Sequence, residues 1–330
     1  MLDQINNAPP GRPDRARVKV PATSANLGPG FDALGMALSL YAWIDMAPAD
    51  ATTVTLYGKH SQGLPQDKTN LLYRIAQRVF DAAGASMPEL EIGIYSDIPL
   101  TRGLGSSAAA IVGAMAAANA LLGEPLPKEE LFRMATAEEG HPDNVGPALF
   151  GGIVSAVWDG ERATHVRIEP PKGLTTLVAI PSYELATSKA RAALPERVSR
   201  EDAVYNLSRA AMLAAALATG RLDVVRHALG DRLHQPYRAP LVPGLERVLR
   251  EASARGALGA ALSGAGPTAI AFVDEAEGRK AELEAFMREA MAGDRGAAGV
   301  QTLWLAPSST GATLEPADAK LPDAIPGGAR

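Results

Sequence analysis

The chain of 330 residues contains no cysteine. That excludes disulfides, thiolate nucleophiles and thiolate zinc sites, and it fits a cytoplasmic protein. Aromatic residues are scarce, at 5%, and lysine and arginine are scattered without a basic run. With a net charge of −5 as well, the chain lacks the electrostatic footprint of a nucleic-acid binder. Long apolar runs are also missing. The longest, Ala108 to Leu122, is interrupted by Gly113 and Asn119 and falls short of the roughly 20 residues that cross a bilayer, so no membrane segment is expected. The opening "MLDQINNAPPGRPDRAR" has no apolar core and is not expected to be a signal peptide.

What remains has an ordinary globular balance of 47% hydrophobic and 21% charged residues, and a length that suggests two domains of about 150 residues each. Residues 1–16 read as a disordered leader. Residues 307–330, rich in Ala, Pro, Gly and Asp, read as a disordered tail. Val18 and Val20 begin a strand that is expected to break at Pro21. Thr52–Gly58, Leu90–Pro99, Leu149–Trp158, Thr175–Pro181, Val300–Ala306 and the two arms of Gly256–Val273 read as further strands. Helices are expected over Asn70–Gly84, Pro127–Gly140, Ser199–Leu217, Leu222–His234 and the segment before Met291. The polar stretch "DGERATHVRIEPPKG" divides the chain, giving domains at 17–168 and 169–306.

One join carries chemistry. In "PLTRGLGSSAAAIVG", a Gly-rich turn runs straight into a helix of small apolar residues. A helix N-terminus offers unpaired N–H groups and partial positive charge, so phosphate binds there readily. Gly103 and Gly105 let the backbone approach such a group, and Ser106 and Ser107 add hydroxyls for a phosphate oxygen or a metal ion. A plain capped core helix has the same composition. The P-loop is excluded because serine, not lysine, follows Gly105. The dinucleotide fingerprint is excluded because Ala108 stands where its last glycine belongs.

Two more stretches of similar character, "PATSANLGPGFDALG" and "LSGAGPTAIAF", flank that join. Together with "EGHPDNVGPALFGG", these motifs resemble, in order and wording, those of the GHMP kinase superfamily and, within it, the homoserine kinase family. The resemblance runs from about Val18 to Val273. It implies an α+β, two-domain GHMP-kinase fold, with an N-terminal ribosomal-protein-like domain, a C-terminal ferredoxin-like domain and the site between them. It implies transfer of a phosphoryl group from ATP, with Mg²⁺, to the hydroxyl of L-homoserine, and a homodimer.

Carried over residue by residue, the resemblance places Pro99, Leu100, Thr101, Arg102, Gly103, Leu104, Gly105, Ser106, Ser107, Ala108 and Ala109 around the triphosphate, with Ser263, Gly264 and Gly266 beside them. It makes Ser106 and a glutamate the magnesium ligands. Glu138 and Glu139 are both available, and Glu139 is favoured because it directly precedes "GHPDNV". For homoserine it supplies Asn26, Asp32, His141, Asn144, Thr187, Arg191 and Arg238. Asp32 would meet the ammonium, and Arg191 and Arg238 the carboxylate. Asn26 and Asn144, with Arg191, form the implied catalytic group. Asn144 cannot act as a base, and Asp143 is expected to point away from its neighbour, so no side-chain base is expected. His141 fits a structural role equally well. Asn70–Gln77 would lie near adenine, or be an ordinary amphipathic helix.

Overall fold

The computed structural model describes residues 13–58, 63–293, 296, 299–316 and 319. The described strands are β1 (Ala16–Ala25), β2 (Leu34–Pro48), β3 (Thr53–Tyr57), β4 (Leu90–Ser96), β5 (Ile153–Trp158), β6 (Ala163–Ile168), β7 (Leu174–Pro181), β8 (Gly259–Leu262), β9 (Ala269–Asp274), β10 (Val300–Leu305) and β11 (Thr313–Glu315). The helices are α1 (Leu71–Ala82), α2 (Ser106–Leu121), α3 (Lys128–Glu139), α4 (Pro142–Phe150), α5 (Thr187–Ala192), α6 (Arg200–Thr219), α7 (Leu222–Ala228), α8 (Gln235–Arg238), α9 (Leu245–Glu251) and α10 (Lys280–Ala292).

The strands form two sheets. The first runs β11-β1-β2-β4-β3, with β5 on β2 and β6 on β5. The second runs β10-β7-β9-β8, all antiparallel. Within it the chain passes strand, helices, two strands, helix, strand, which is the ferredoxin-like arrangement.

Helix α2 explains its own composition. From Ala108 to Leu121 it is buried except at the half-buried Ala110 and Ala116, among β1, β2 and helices α1, α3 and α4. Only small residues allow so many neighbours to approach. A Cβ on Gly113 would stand 2.8 Å from Ile44. By contrast, α1 is strongly amphipathic, with Leu72, Ile75, Ala76, Val79 and Phe80 turned inward and Asn70 capping its start.

The structure corrects several boundaries. Strand β1 does not break at Pro21 but continues to Ala25, because a register shift against β2 between Pro21 and Ala22 absorbs the missing N–H. The "DGERATHVRIEPPKG" stretch is no linker throughout. Residues 163–168 form β6, an edge strand whose exposed face explains its polar sequence. The helix expected over Leu222–His234 ends at Ala228. Helices α4, α5, α8 and α9 were not anticipated.

The chain ends also differ from expectation. Of the leader, residues 1–12 lie outside the described residues, but Arg15 is fixed by Asp45 at 2.6 Å and Glu91 at 2.8 Å, and Ala16 opens β1. Of the tail, 307–316 is ordered. Ser308 N donates to Ala37, Ala312 N to Ala148, and β11 pairs with β1.

Gly35 marks the closest approach of β2 to α4. A Cβ there would lie 1.7 Å from the Asp143 carbonyl oxygen, which is backbone and has little freedom to yield. Gly35→Ala should therefore lower stability by about 1–3 kcal/mol, read from the urea midpoint at constant slope.

Candidate active site

Three loops meet between the sheets. The first follows β1, the second precedes α2, and the third joins β8 to β9. Gly264 N donates to Ala25 O at 3.2 Å, Thr23 N to Leu104 O at 3.1 Å, and Thr268 N to Arg102 O at 3.3 Å. The Ser263 hydroxyl donates to the Gly103 carbonyl at 2.6 Å, and its oxygen lies 2.9 Å from the Ser24 hydroxyl, from which it accepts. Such approach needs bare backbone. A Cβ on Gly103 (φ +78°) would stand 2.3 Å from Ser263 O, and one on Gly105 (φ +69°) 1.9 Å from Thr23 Oγ1.

The cleft over this junction is lined by residues from both domains. Asn26, Asp32, Gly103, Gly105, Ser106, Ser107, Glu139, His141, Asp143 and Asn144 come from the N-terminal half, and Thr187, Arg191, Arg238, Gly264 and Gly266 from the other. Asn26 is held in the left-handed region (φ 69°) and works in two directions. Its Nδ2 donates to Gly264 O at 3.0 Å, and its Oδ1 accepts from Asp32 N at 3.0 Å.

The charges are arranged in pairs. Arg191 grips Asp32 with both Nη atoms, at 3.0 and 2.9 Å, and this hydrogen bonding holds its pKa above the usual value. Arg238 is buried. Its Nε donates to Ala190 O at 3.3 Å and its Nη1 to Gly264 O at 3.1 Å. Burial first, and the nearby Arg191 charge second, push its pKa down. His141 Nδ1 meets Asp143 Oδ1 at 2.5 Å. Burial opposes its charge, but Asp143, Glu139 and Asp32 together outweigh burial and raise its pKa. Glu139 accepts from the Ser107 hydroxyl at 3.0 Å, and burial lifts its pKa. Glu138 instead pairs with Arg78 on α1. Asn144 Oδ1 accepts from Thr23 Oγ1 at 2.8 Å.

Not every residue expected around a phosphate reaches the cleft with its side chain. Leu104, Ala108 and Ala109 are fully buried in the core, and Pro99 is buried outside the cleft. Arg102 braces the loop on the other domain, donating to Pro181 O at 3.1 Å and Ser182 O at 2.6 Å. Ser263 is likewise engaged in the junction. Leu100 and Thr101 border a second, apolar hollow shared with Asn70, Leu71, Leu72, Ile44, Ile94 and Ala110, which opens beside Ser106 and Ser107.

Two residues were missed or misplaced. Asp143 lines the cleft beside Asn144 rather than pointing away, because "HPDN" is not a loop but the first turn of α4. His234 is fully buried and stacks on Phe31 at 5.3 Å. Its Nε2 donates to Gly28 O at 2.7 Å, leaving Nδ1 to accept from Arg238 at 3.3 Å. Burial keeps it below the usual histidine pKa. The signal was its place four residues before Arg238.

Comparison with known proteins accounts for this architecture. The family described as "GHMP kinases N terminal domain" matches residues 70–152, and "GHMP kinases C terminal" matches 213–292. The fold and the three-loop cleft are thus those of a two-domain GHMP kinase. A homoserine kinase of Deinococcus radiodurans is 50% identical over 282 residues, covering 86% of this chain and 91% of its own. One of Moorella thermoacetica is 49% identical over 255 residues, covering 77% and 86%. The crystal structure of homoserine kinase from Cytophaga hutchinsonii superposes with a TM-score of 0.80 at 28% identity, over 92% of this chain and 98% of that one. The chain belongs to the homoserine kinase family.

The raised His141 pKa has a consequence for stability. A group that holds its proton more tightly when folded stabilises the protein below its unfolded pKa, and that contribution is lost as pH rises through the folded pKa. His141→Gln should therefore cost more stability at about pH 6 than at about pH 9, measured by urea denaturation of both proteins.

Proposed function

We propose that this chain transfers the γ-phosphoryl group of ATP to the side-chain hydroxyl of L-homoserine, giving O-phospho-L-homoserine. The observation that carries the reading is the cleft itself. A glycine loop and helix N-terminus stand across from one carboxylate and two guanidinium groups, Asp32, Arg191 and Arg238.

That charge set suits a small zwitterion. Without a ligand, Asp32 and Arg191 satisfy each other. A zwitterion replaces both halves of the pair, its ammonium on Asp32 and its carboxylate on Arg191 and the free Nη2 edge of Arg238. Mevalonate, with a carboxylate and no ammonium, would draw Arg191 away and leave Asp32 uncompensated, and a sugar, with neither charge, would leave the Asp32–Arg191 pair closed on itself, so both fit less well than a zwitterion. Asn26 and Asn144 orient the hydroxyl end. His141 and Thr187 close the amino-acid side.

The triphosphate lies along Thr101–Ser107 and Gly264–Gly266. There the free N–H groups of α2 and the loop supply donors fixed before the reaction. The neighbouring apolar hollow, with Asn70 and Leu71 at its rim, takes the base. Buried Glu139 and the Ser106 and Ser107 hydroxyls are hard oxygen donors, and a carboxylate with a raised pKa is one that a cation would relieve. They fit Mg²⁺, which when bound neutralises phosphate charge.

The substrate oxygen bonds to the γ-phosphorus as the bond to the bridging oxygen breaks, and ADP leaves. Asp143 is committed to His141 at 2.5 Å. We therefore assign the hydroxyl proton to a phosphate oxygen. Positioning and charge stabilisation do the rest.

The first experiment is ADP release from Mg·ATP with L-homoserine, L-threonine, mevalonate or galactose. Turnover with homoserine alone is expected. Turnover with mevalonate or a sugar overturns the substrate reading, and saturable ATP binding without turnover indicates a regulator that kept the fold. Arg191→Met should raise KM for homoserine at least tenfold, about 1.4 kcal/mol, with KM for ATP nearly unchanged. Asp143→Asn should keep kcat within about tenfold, whereas a fall of 10²–10⁴, the usual worth of a general base, would show that Asp143 takes the proton.

A further inference from the structure

Among the buried polar side chains, His234 takes no part in the chemistry proposed above, yet both its ring nitrogens are engaged. It stands at the start of α8 and is fully buried. Its two partners allow one placement of its proton. Gly28 O, 2.7 Å from Nε2, can only accept a hydrogen bond, and Arg238 Nη1, 3.3 Å from Nδ1, can only donate one. The hydrogen therefore sits on Nε2, and the Nδ1 lone pair faces the guanidinium. Asp231 Oδ2, 3.5 Å from Nε2, is a second acceptor and favours the same tautomer. Asp231 and Asp32 favour a second proton on the ring and Arg238 opposes it. Burial outweighs the carboxylates and keeps the imidazole neutral at about pH 7.

The ring is clamped from behind. Asp231, itself buried, accepts from the backbone N–H groups of Leu233, His234 and Gln235 at 2.9, 3.1 and 2.6 Å, and from Asn206 Nδ2 at 2.9 Å. Gln235 Oε1 accepts from Leu262 N at 2.7 Å, which ties the same turn to β8. The imidazole stacks on Phe31 at 5.3 Å. A buried polar network whose members are satisfied holds one geometry, because any alternative strands a polar group.

That geometry is passed to Arg238. Its Nε donates to Ala190 O at 3.3 Å, and its Nη1 to Gly264 O at 3.1 Å as well as to His234. A guanidinium is planar, so fixing Nε and Nη1 also fixes Nη2, the nitrogen left for the cleft that Arg238 lines. Two of the three acceptors are backbone carbonyls. His234 is the one side chain among them, and it is not among the residues that line the cleft.

We propose, on the amino-acid reading of the cleft given above, that His234 is a positioning residue: its Nδ1 acceptor holds the Arg238 guanidinium so that Nη2 meets the substrate carboxylate. Its effect falls on affinity for the amino acid and not on the phosphoryl-transfer step.

Two conservative variants separate the two nitrogens, since an Asn amide reaches the Nδ1 position and a Gln amide the Nε2 position. His234→Gln keeps a donor for Gly28 O but offers Arg238 no acceptor, and should raise KM for homoserine about tenfold or more. His234→Asn keeps an acceptor for Arg238, and its KM should stay within about threefold. In both, kcat and KM for Mg·ATP should stay within about twofold. A residue that served stability alone would not sort the variants in this way, and their urea midpoints check for it. Equal losses in the two variants, the reverse order, or KM for ATP rising together with KM for homoserine overturns the proposal. The tautomer is read without substrate by ¹⁵N NMR of histidine-labelled protein, where the His234 signals are those that His234→Asn removes. Hydrogen on Nε2 and a bare Nδ1 are expected at about pH 7, and hydrogen on Nδ1 overturns the assignment. An unmodified chain that shows the expected tautomer but turns over a different acceptor refutes the substrate reading and not the orientation of Arg238, which the two variants then report through KM for that acceptor.

Discussion

The site depends on one carbonyl. Gly264 O accepts from Asn26 Nδ2 and from Arg238 Nη1, while Gly264 N donates to Ala25 O. These partners are far apart in sequence and belong to different domains, so the backbone of a single residue fixes the first loop, the third loop and a substrate-side arginine relative to one another. Burial makes the arrangement consequential, because a buried donor or acceptor left without its partner costs about 1–3 kcal/mol. His234 extends the junction by holding Gly28 and Arg238 at once through its two nitrogens. Phe31 lies against both His234 and Arg238, so the loop that carries Asp32 is packed as well as bonded.

The electrostatics follow from this rigidity. Two guanidinium groups close enough to lower the Arg238 pKa would repel each other in an open cleft. Here Asp32 neutralises Arg191, and backbone carbonyls solvate Arg238. On the other side, Glu139 and Asp143 face His141, whose raised pKa reports that the carboxylates outnumber it. The cleft thus interleaves its charges: Asp32, His141 and Asp143 bring ligand atoms within 4.8 Å of one another, with Arg191 on Asp32 and Glu139 beside Ser107.

How much of this was legible in sequence depends on the range of the cause. The glycines at 103 and 105 were legible because a local requirement, a positive φ and close backbone approach, leaves few residues able to serve. The burial of α2 was legible from its alanines. Pro21 misled because the compensating bulge lies on the partner strand, at Ser39 and Leu40, which local pattern does not connect to it. Asp143 misled because α4 is only nine residues long, starts at a proline and contains another, so nothing local announces a helix. Arg102 looked like a phosphate ligand, and only the tertiary placement of β7 shows that its donors are taken. Glu138 and Glu139 are neighbours in sequence, yet Glu138 pairs with Arg78, a residue 60 positions earlier on another helix, while Glu139 accepts from Ser107 at the cleft.

The C-terminal return has the same logic on a larger scale. After β10 the chain leaves the second sheet, bonds Ser39 through Ala306 O and Gly152 through Ser308 O, and adds β11 to the first sheet. Gly311 passes so close to α4 that a Cβ would lie 2.3 Å from Leu149 O. The two domains are therefore joined twice, once between β6 and β7 and once after β10. A single linker would leave a hinge, whereas two connections braced on each other, Arg167 and Glu169 both bonding Ser309, restrict rotation between the domains. Phosphoryl transfer gains most from reactants held in fixed geometry. In the described part of that tail, "PSSTGATLEP", the small residues up to Ala312 let the chain pass close against α4 before β11 pairs with β1 and closes the circuit.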